Sequence, residues 1–230
     1  MKHIKHNFTY ILLSLIITSC SIDYKGVFTD DRLEEYELYD YYVDQYGNEG
    51  IIAHVSDKCV IAISLDESLQ YWGPTGEEVY NGSTKSQDIT TIEFGVAMHQ
   101  TMMLMGIERF PAQNWCNQKN RHEESPRAGS WRLPSRYDFL FIYGTDKKIA
   151  ALNEALVRAN GTPLEIEGMY WTCVEDIEGY ITFDDEVPDY DQANRAVLCS
   201  PTNTTYYNKD RWIKKNLYNV RAIKYVYYEY

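Results

Sequence analysis

The feature that most constrains the fold is a five-residue segment in the middle of the chain, Trp131-Arg132-Leu133-Pro134-Ser135. Its Trp and Leu side chains alternate onto one core face, and the Arg between them can pair with a carboxylate. The Pro-Ser pair then ends the extended stretch, and Ser135 is suited to be the N-cap of a helix, with Asp138 as the second member of a capping-box-like pair. The segment therefore predicts a structural role, an extended stretch that leads into a helix over 137–143 that ends at Gly144.

The surrounding chain predicts strands at both ends of a domain and helices between them. A hairpin is predicted over 51–55 and 59–65, and its strands are apolar on both faces, as buried strands are. Helical patterns cover 88–106, a short stretch from Pro111, and 146–160, with Gly161 at the C-terminal cap position. Further strands are predicted over 169–174 and 196–199, with one long inner strand over 218–228. The fold class is α+β, and the strands at its two ends can pair with each other.

The N-terminus has the layout of a secretory signal, because Lys2 and Lys5 precede an apolar stretch over 10–17. This stretch is too short for a transmembrane helix, which needs about 20 residues. The residues Ile17-Thr18-Ser19-Cys20 resemble the bacterial lipobox, which implies cleavage before Cys20 and a diacylglycerol on its thiol. Ser21 follows instead of the aspartate that holds some lipoproteins at the inner membrane, so we expect a lipid-anchored protein of the cell envelope, at the outer membrane.

This leader also sets the expected domain boundaries. We expect a signal peptide over 1–19 and a lipid-anchored acidic tether over 20–48 that can end in a strand or packed arm. The folded domain is expected over 49–230. The membrane is then a partner only through the lipid on Cys20.

Charge and motif content exclude several functional classes. The chain has 34 Asp and Glu against 22 Lys and Arg, a formal charge of −12 with no basic run, so we expect no nucleic-acid partner. The histidines beyond the leader, His54, His99 and His122, are far apart and form no HExxH. GxSxG, GxxxxGK[ST] and GxGxxG are also missing from the sequence. We therefore expect no enzyme activity, no metal site and no cofactor.

Four cysteines follow the lipobox: Cys59, Cys116, Cys173 and Cys199. None belongs to a CxxC, and their long spacing argues against structural zinc. An even number in an exported chain permits two disulfides, with three pairings among which the sequence does not choose. Buried reduced thiols are the other interpretation.

Two acidic clusters contain carboxylates of the kind that calcium binds. They are Asp184-Asp185-Glu186 with Asp189 and Asp191, and Glu175-Asp176 with Glu178. Neither matches an EF-hand or a G-G-x-G-x-D repeat. We interpret both as solvated loops.

Five short segments, in order, carry a resemblance to a known family. They are Gly50-Ile51-Ile52-Ala53, Ala112-Gln113-Asn114-Trp115-Cys116, Gly129 to Ser135, Tyr170-Trp171-Thr172 and Asn219-Val220-Arg221-Ala222-Ile223. Together they resemble the Lcl C-terminal domain family and the major paralogous domains of bacterial surface lipoproteins. The resemblance implies a C-type-lectin-like fold with paired N- and C-terminal strands and two or three helices in the middle.

Formylglycine-generating enzymes, whose fold is distantly similar, share a box of the same type as residues 131–135. Their catalytic chemistry uses two closely spaced C-terminal cysteines. Cys173 and Cys199 are 26 residues apart and no cysteine follows them, so no catalytic residue is carried over.

The best candidate ligand site in the sequence is the loop-rich stretch over 190–212. Aromatic side chains there could stack on sugar faces or enter protein grooves, while amide, carboxylate and guanidinium groups supply directional hydrogen bonds. The residues are Tyr190, Asp191, Asn194, Asn203, Tyr206, Tyr207, Asn208, Arg211 and Trp212. We interpret the chain as a lipid-anchored extracytoplasmic module that binds a glycan or a protein. A thiol-dependent enzyme of the formylglycine-generating type and a structural subunit of a surface assembly are the alternatives.

Overall fold

The computed structural model describes residues 36–79, 92–121, 129–175, 193–202 and 211–227. They form an α+β fold with two sheets, which confirms the predicted fold class. The strands are β1 (Tyr41–Val43), β2 (Glu49–Val55), β3 (Cys59–Ser64), β4 (Ser68–Gln70), β5 (Tyr170–Glu175), β6 (Arg195–Cys199), β7 (Arg211–Ile213), β8 (Tyr218–Val220) and β9 (Ile223–Tyr227). The α-helices are α1 (Ile92–Gly106), α2 (Pro111–Asn117), α3 (Arg136–Ile142) and α4 (Asp146–Arg158). Short 3-10 turns over 107–109 and 118–120 follow α1 and α2.

The first sheet has the order β1-β2-β3-β9 and is antiparallel throughout. The β2–β3 hairpin is the predicted one, and its second strand pairs with β9, so strands from both ends of the domain share one sheet. They do not pair as expected, because β1 and β9 form the opposite edges of this sheet and β2 is separated from β9 by β3. Alternate residues of β2 and β3 belong to two different core clusters. Ile52 and Val60 face α1 and α2, whereas Ile51 and Ile61 face α3 and α4. Both faces of this sheet are therefore buried, in agreement with the apolar pattern.

The second sheet has the order β4-β8-β5-β6-β7, in which only β5 and β8 run parallel. The prediction of a single strand over 218–228 is wrong. The chain forms β8 in the second sheet, crosses at Arg221 and Ala222, and continues as β9 in the first. Arg221 is 2% exposed, and its guanidinium donates to the carbonyls of Ser64 and Thr162 at 2.8 Å each. This buried cation fixes the crossing point between the sheets.

The helix ends follow local sequence signals. Ser135 is the N-cap of α3, its hydroxyl accepts from the Asp138 amide, and the Asp138 carboxylate accepts from the Ser135 amide, which completes the predicted capping box. The predicted end of α4 needs correction. The helix ends at Arg158, and Asn160, with a φ of 57°, occupies the left-handed position that we assigned to Gly161. The amides of Asn160 and Gly161 donate to the carbonyls of Val157 and Leu156, as in a Schellman motif.

The folded domain begins earlier than residue 49. Residues 36–48 belong to it, because Tyr41–Val43 form β1 and Tyr42 is only 2% exposed. Asp44 closes the β1–β2 turn by accepting from the amides of Tyr46 and Asn48 and from the indole of Trp131. The part of the predicted tether and signal peptide over 1–35, including Cys20, lies outside the described residues.

The Trp131–Ser135 segment has the predicted structural role. Trp131 and Leu133 are fully buried, and Arg132 forms an ion pair with Asp138 at 2.9 Å. Arg132 also exchanges backbone hydrogen bonds with Ile223 of β9. The segment thus extends the first sheet by one bridge and leads directly into α3.

Candidate functional site

An open cleft of about 1030 Å³ lies between the first sheet and the C-terminal end of α4. Its volume is at the upper end of the range typical of ligand pockets, roughly 300–1,000 Å³. The lining residues come from five stretches of chain, and they are Tyr39, Asp40, Tyr41, Gly47, Asn48, Glu49, Ile51, Leu65, Asp66, Lys119, Ala155, Arg158, Ala159, Asn160, Gly161 and Thr162. The fold brings these stretches together because the start of β1, the start of β2 and the residues after β3 lie near the end of α4, where the Thr162 amide donates to the Leu65 carbonyl.

One wall of the cleft contains an unusual backbone conformation. Tyr39 has a φ of 76° in a tight turn, in which the Asp40 amide donates to the Glu37 carbonyl at 3.2 Å. Glycine normally occupies such a position, because a Cβ in the left-handed region costs about 1–2 kcal/mol. The Glu37 amide donates to the Asp40 carboxylate at 2.7 Å and holds the turn. Strain of this kind concentrates at functional sites, so the turn at Tyr39 marks this wall of the cleft as a candidate functional surface.

A second tyrosine presents its ring on the same side. Tyr41 is 47% exposed on the edge strand β1, and its hydroxyl donates to the Glu49 carboxylate. This hydrogen bond is the main cause that raises the pKa of Tyr41, and burial raises the pKa of Tyr39. Both phenols are therefore neutral hydrogen-bonding groups at neutral pH.

The charged groups of the cleft differ in how they are paired. Lys119 donates to both oxygens of the Asp66 carboxylate at 2.7 and 2.9 Å, and its ammonium lies 4.6 Å from the centre of the Trp115 ring. Arg158 is exposed in the last turn of α4 and makes no ion pair with any residue that the structure describes. The cleft therefore offers to a ligand the exposed Arg158 guanidinium, which has no ionic partner among the described residues, the exposed Tyr41 ring and exposed carboxylates, beside the half-buried Tyr39.

The lining combines aromatic, amide and charged side chains. The described lining residues include no Cys and no His, so they contain neither a thiol nucleophile nor an imidazole base. Elsewhere in the described ranges, no group of three or more His, Cys, Asp or Glu side chains is placed to hold a metal ion. The aromatic, amide and charged groups can make stacking contacts and directional hydrogen bonds with a polar ligand.

The structure assembles few of the ligand-binding residues that we predicted from the sequence. Asn194 has a structural contact, because its side-chain oxygen accepts from the Gly76 amide at 3.0 Å. Arg211 and Trp212 lie on β7, but their side chains are outside the described part of the chain. Tyr190, Asp191, Asn203, Tyr206, Tyr207 and Asn208 also lie outside the described residues. The prediction for that stretch stays a prediction.

Sequence reasoning missed the cleft, since residues 20–48 were assigned to a tether and the remaining lining residues are scattered along the chain. Two local signals were present. Tyr39 and Tyr41 are two residues apart and lie just before the buried Tyr42, and Asn160-Gly161 follows a clear amphipathic helix.

Glu175 corrects our interpretation of one acidic cluster. We expected this residue in a solvated loop, but it is fully buried and pairs with Lys214, whose side chain is also fully buried. Its two oxygens accept from the Val79 amide at 3.1 and 3.0 Å. Asp176, Glu178 and the cluster over 184–191 lie outside the described residues.

The four cysteines in the described ranges are buried thiols that form no disulfide with one another. Burial raises the pKa of Cys59 and Cys116, and it raises the pKa of Cys173 to about 12. At neutral pH these three thiols are protonated and weakly nucleophilic. None of the three has the lowered pKa that the reactive thiol of a thiol-dependent enzyme needs.

Comparison with known proteins gives a likeness of fold. No family model matches the chain, and no curated protein sequence matches it. Among solved structures, the chain is similar to a fimbrial protein from Bacteroides ovatus ATCC 8483, with a TM-score of 0.56 and 12% sequence identity. The match covers 82% of this chain and 48% of the fimbrial protein, so this chain spans about half the length of that neighbour. At this identity the likeness concerns the fold alone.

Within the described ranges, no helix combines the length and the apolarity that crossing a membrane requires.

Proposed function

We propose that this protein is a binding module of the bacterial cell surface and that the cleft beside α4 binds a glycan. The observation that carries the proposal is the pair of tyrosines on one wall of the cleft, Tyr39 in a strained turn and Tyr41 with half of its surface exposed. Tyrosine rings stack on the apolar faces of sugars, and neighbouring carboxylates and amides accept and donate hydrogen bonds to hydroxyls.

The balance of charges in the cleft favours a glycan that is not a polyanion. Asp40, Glu49 and Asp66 face two cations, Lys119 and Arg158. A whole-chain charge of −12 adds long-range repulsion for anionic polymers. A neutral or zwitterionic sugar chain is the ligand that this arrangement suits.

A glycan array tests the proposal with the mature chain carrying Cys20→Ser, so that it stays soluble. We expect binding to a subset of neutral glycans, and the Tyr41→Ala variant should lower the affinity by about tenfold or more, because an exposed aromatic at the centre of a site dominates binding. Tyr71→Ala is the matched control, since Tyr71 is 46% exposed but lies outside the cleft. Equal loss in both variants, or no binding by the parent chain, contradicts the proposal.

The lipid anchor on Cys20 is the second part of the proposal, supported by the lipobox-like residues 17–20. We expect the full chain to be found with the outer membrane after cell fractionation. The Cys20→Ser variant should move to the soluble fraction, whereas a Cys59→Ser variant should stay with the membrane. Membrane retention of Cys20→Ser would contradict a lipid on that residue.

A structural subunit of a surface assembly is the second candidate function. The fold likeness to a fimbrial protein supports it. In that case, cross-linking on intact cells would trap the chain with one specific neighbouring protein, and Tyr41→Ala would leave this product unchanged.

A further inference from the structure

Three buried side chains beside the Trp131–Ser135 segment each retain one polar atom without a hydrogen-bond partner in the part of the chain that the structure describes. The atoms are Nδ1 of His99, Nε2 of Gln113 and Nε of Arg132. All three residues are 0% exposed. A polar atom that is buried without a partner costs about 1–3 kcal/mol, so three in one place require an explanation.

The three side chains come from neighbouring stretches of chain, which are α1, α2 and the extended segment. The Arg132 guanidinium packs against Gly95 so closely that a Cβ at Gly95 would lie 3.2 Å from Nε. His99 is one helical turn further along the same face of α1. Gln113 and Arg132 both bond to the backbone of Leu133, which donates to Gln113 Oε1 at 3.1 Å and accepts from Arg132 Nη1 at 3.0 Å.

A chain of hydrogen bonds fixes the tautomer of His99. The Trp131 backbone donates to Asn120 Oδ1 and accepts from Asn120 Nδ2, which sets the orientation of that amide. Asn120 Nδ2 also faces Asn117 Oδ1 at 3.5 Å, so the oxygen of Asn117 is the acceptor there. His99 Nε2 lies 2.9 Å from the same oxygen and must therefore donate to it. Nδ1 of the neutral ring is left as an acceptor.

The two remaining atoms are donors. Gln113 Oε1 is committed to the Leu133 amide, so its unpartnered atom is the NH₂ group. Nε of an arginine is always a donor. The three atoms are therefore two donors and one acceptor. An anion would match only the donors, and a cation would match only the acceptor.

We propose that the three atoms face a common space and that one water molecule binds there, accepts from Gln113 Nε2 and Arg132 Nε, and donates to His99 Nδ1. Buried waters typically make about three hydrogen bonds to polar groups of this kind. This water would connect α1, α2 and the segment before α3, which otherwise meet through separate contacts. The proposal is independent of the ligand in the cleft.

A crystal structure that shows ordered solvent tests the proposal directly on the mature chain carrying Cys20→Ser. We expect one solvent peak within about 2.7–3.2 Å of all three atoms. Nitrogen-15 spectroscopy at neutral pH should show the Nε2–H tautomer of His99. Direct bonding of the three atoms to protein groups, or the Nδ1–H tautomer, would overturn the proposal.

Oxygen-17 relaxation dispersion in solution supplies a second test, because it counts long-lived internal waters. The Gln113→Met variant removes one of the three partners at similar volume, and we expect the count to fall by one. Gln100→Met, on the exposed side of α1, is the matched control and should leave the count unchanged. An unchanged count in Gln113→Met would count against the water site.

Discussion

The segment before α3 and the cleft beside α4 both contain an ion pair, but the pair is buried in the segment and exposed in the cleft. In the segment, Arg132 and Asp138 pair at 0% and 1% side-chain exposure. In the cleft, Lys119 pairs with Asp66 at 15% and 58% exposure, and Arg158 has no ionic partner among the described residues. Charges that are buried and paired hold the fold together, while exposed charges remain available to a ligand.

The largest expected difference concerns the two aspartates. Asp138→Ala leaves Arg132 buried without its partner and removes the acceptor of the Tyr225 hydroxyl, so we expect a loss of about 3–5 kcal/mol in the free energy of unfolding. Asp66→Ala breaks a pair that water already screens and should cost less than about 1 kcal/mol. Urea unfolding measures both. Similar losses in the two variants would remove the distinction between the regions.

The pH dependence of stability is the next test, and it concerns His99. Burial, with a smaller contribution from Arg132, lowers the pKa of His99 to about 4. The unfolded chain then binds a proton at His99 in the pH range where the folded chain does not, so stability falls as the pH drops from about 6.5 towards 4. Between pH 7.5 and pH 5 we expect His99 to account for a loss of about 2 kcal/mol.

The His99→Gln variant isolates this contribution, because glutamine does not titrate. The variant should lose about 2 kcal/mol less than the parent chain over the same pH interval. His54→Gln is the control, since His54 is only half-buried and burial lowers its pKa by less. Identical pH profiles for the parent and His99→Gln would show that His99 is not held neutral.

The smallest expected effect concerns the strained turn in the cleft. Tyr39→Gly and Tyr39→Ala both remove the ring, but only glycine adopts a φ of 76° without strain. We therefore expect the glycine variant to be more stable than the alanine variant by about 1 kcal/mol in urea unfolding. Both variants should bind a glycan equally weakly. A more stable alanine variant would argue against a left-handed conformation at this position.

Local signals in the sequence predicted much of the Trp131–Ser135 segment and of the strands beside it. The Ser135–Asp138 box, the buried face of Trp131 and Leu133, and the hairpin of β2 and β3 all depend on residues that are close in sequence. The crossing at Arg221 was missed for a physical reason. One long buried strand and two short strands in adjacent sheets have the same apolar pattern, and only the buried cation distinguishes them.

The cleft could not be predicted in the same way. Its polar groups come from stretches near residues 40, 48, 66, 119 and 160, which only the tertiary fold brings together. The strained turn was invisible as well, because a tyrosine gives no sign of a positive φ where a glycine would have done so. The burial of Glu175 depends on Lys214, which is distant in sequence and directly follows β7, so the acidic neighbours of Glu175 suggested solvent exposure instead.

Mapping a bound ligand on the protein tests the central claim most directly. The best ligand from the glycan array is titrated into the ¹⁵N-labelled mature chain with Cys20→Ser, and backbone amide shifts are recorded. The account predicts that the largest shifts lie in residues 39–49, 65–66, 119 and 158–162. Shifts concentrated elsewhere, for example around Tyr71 or in residues 193–213, would contradict a binding site in the cleft.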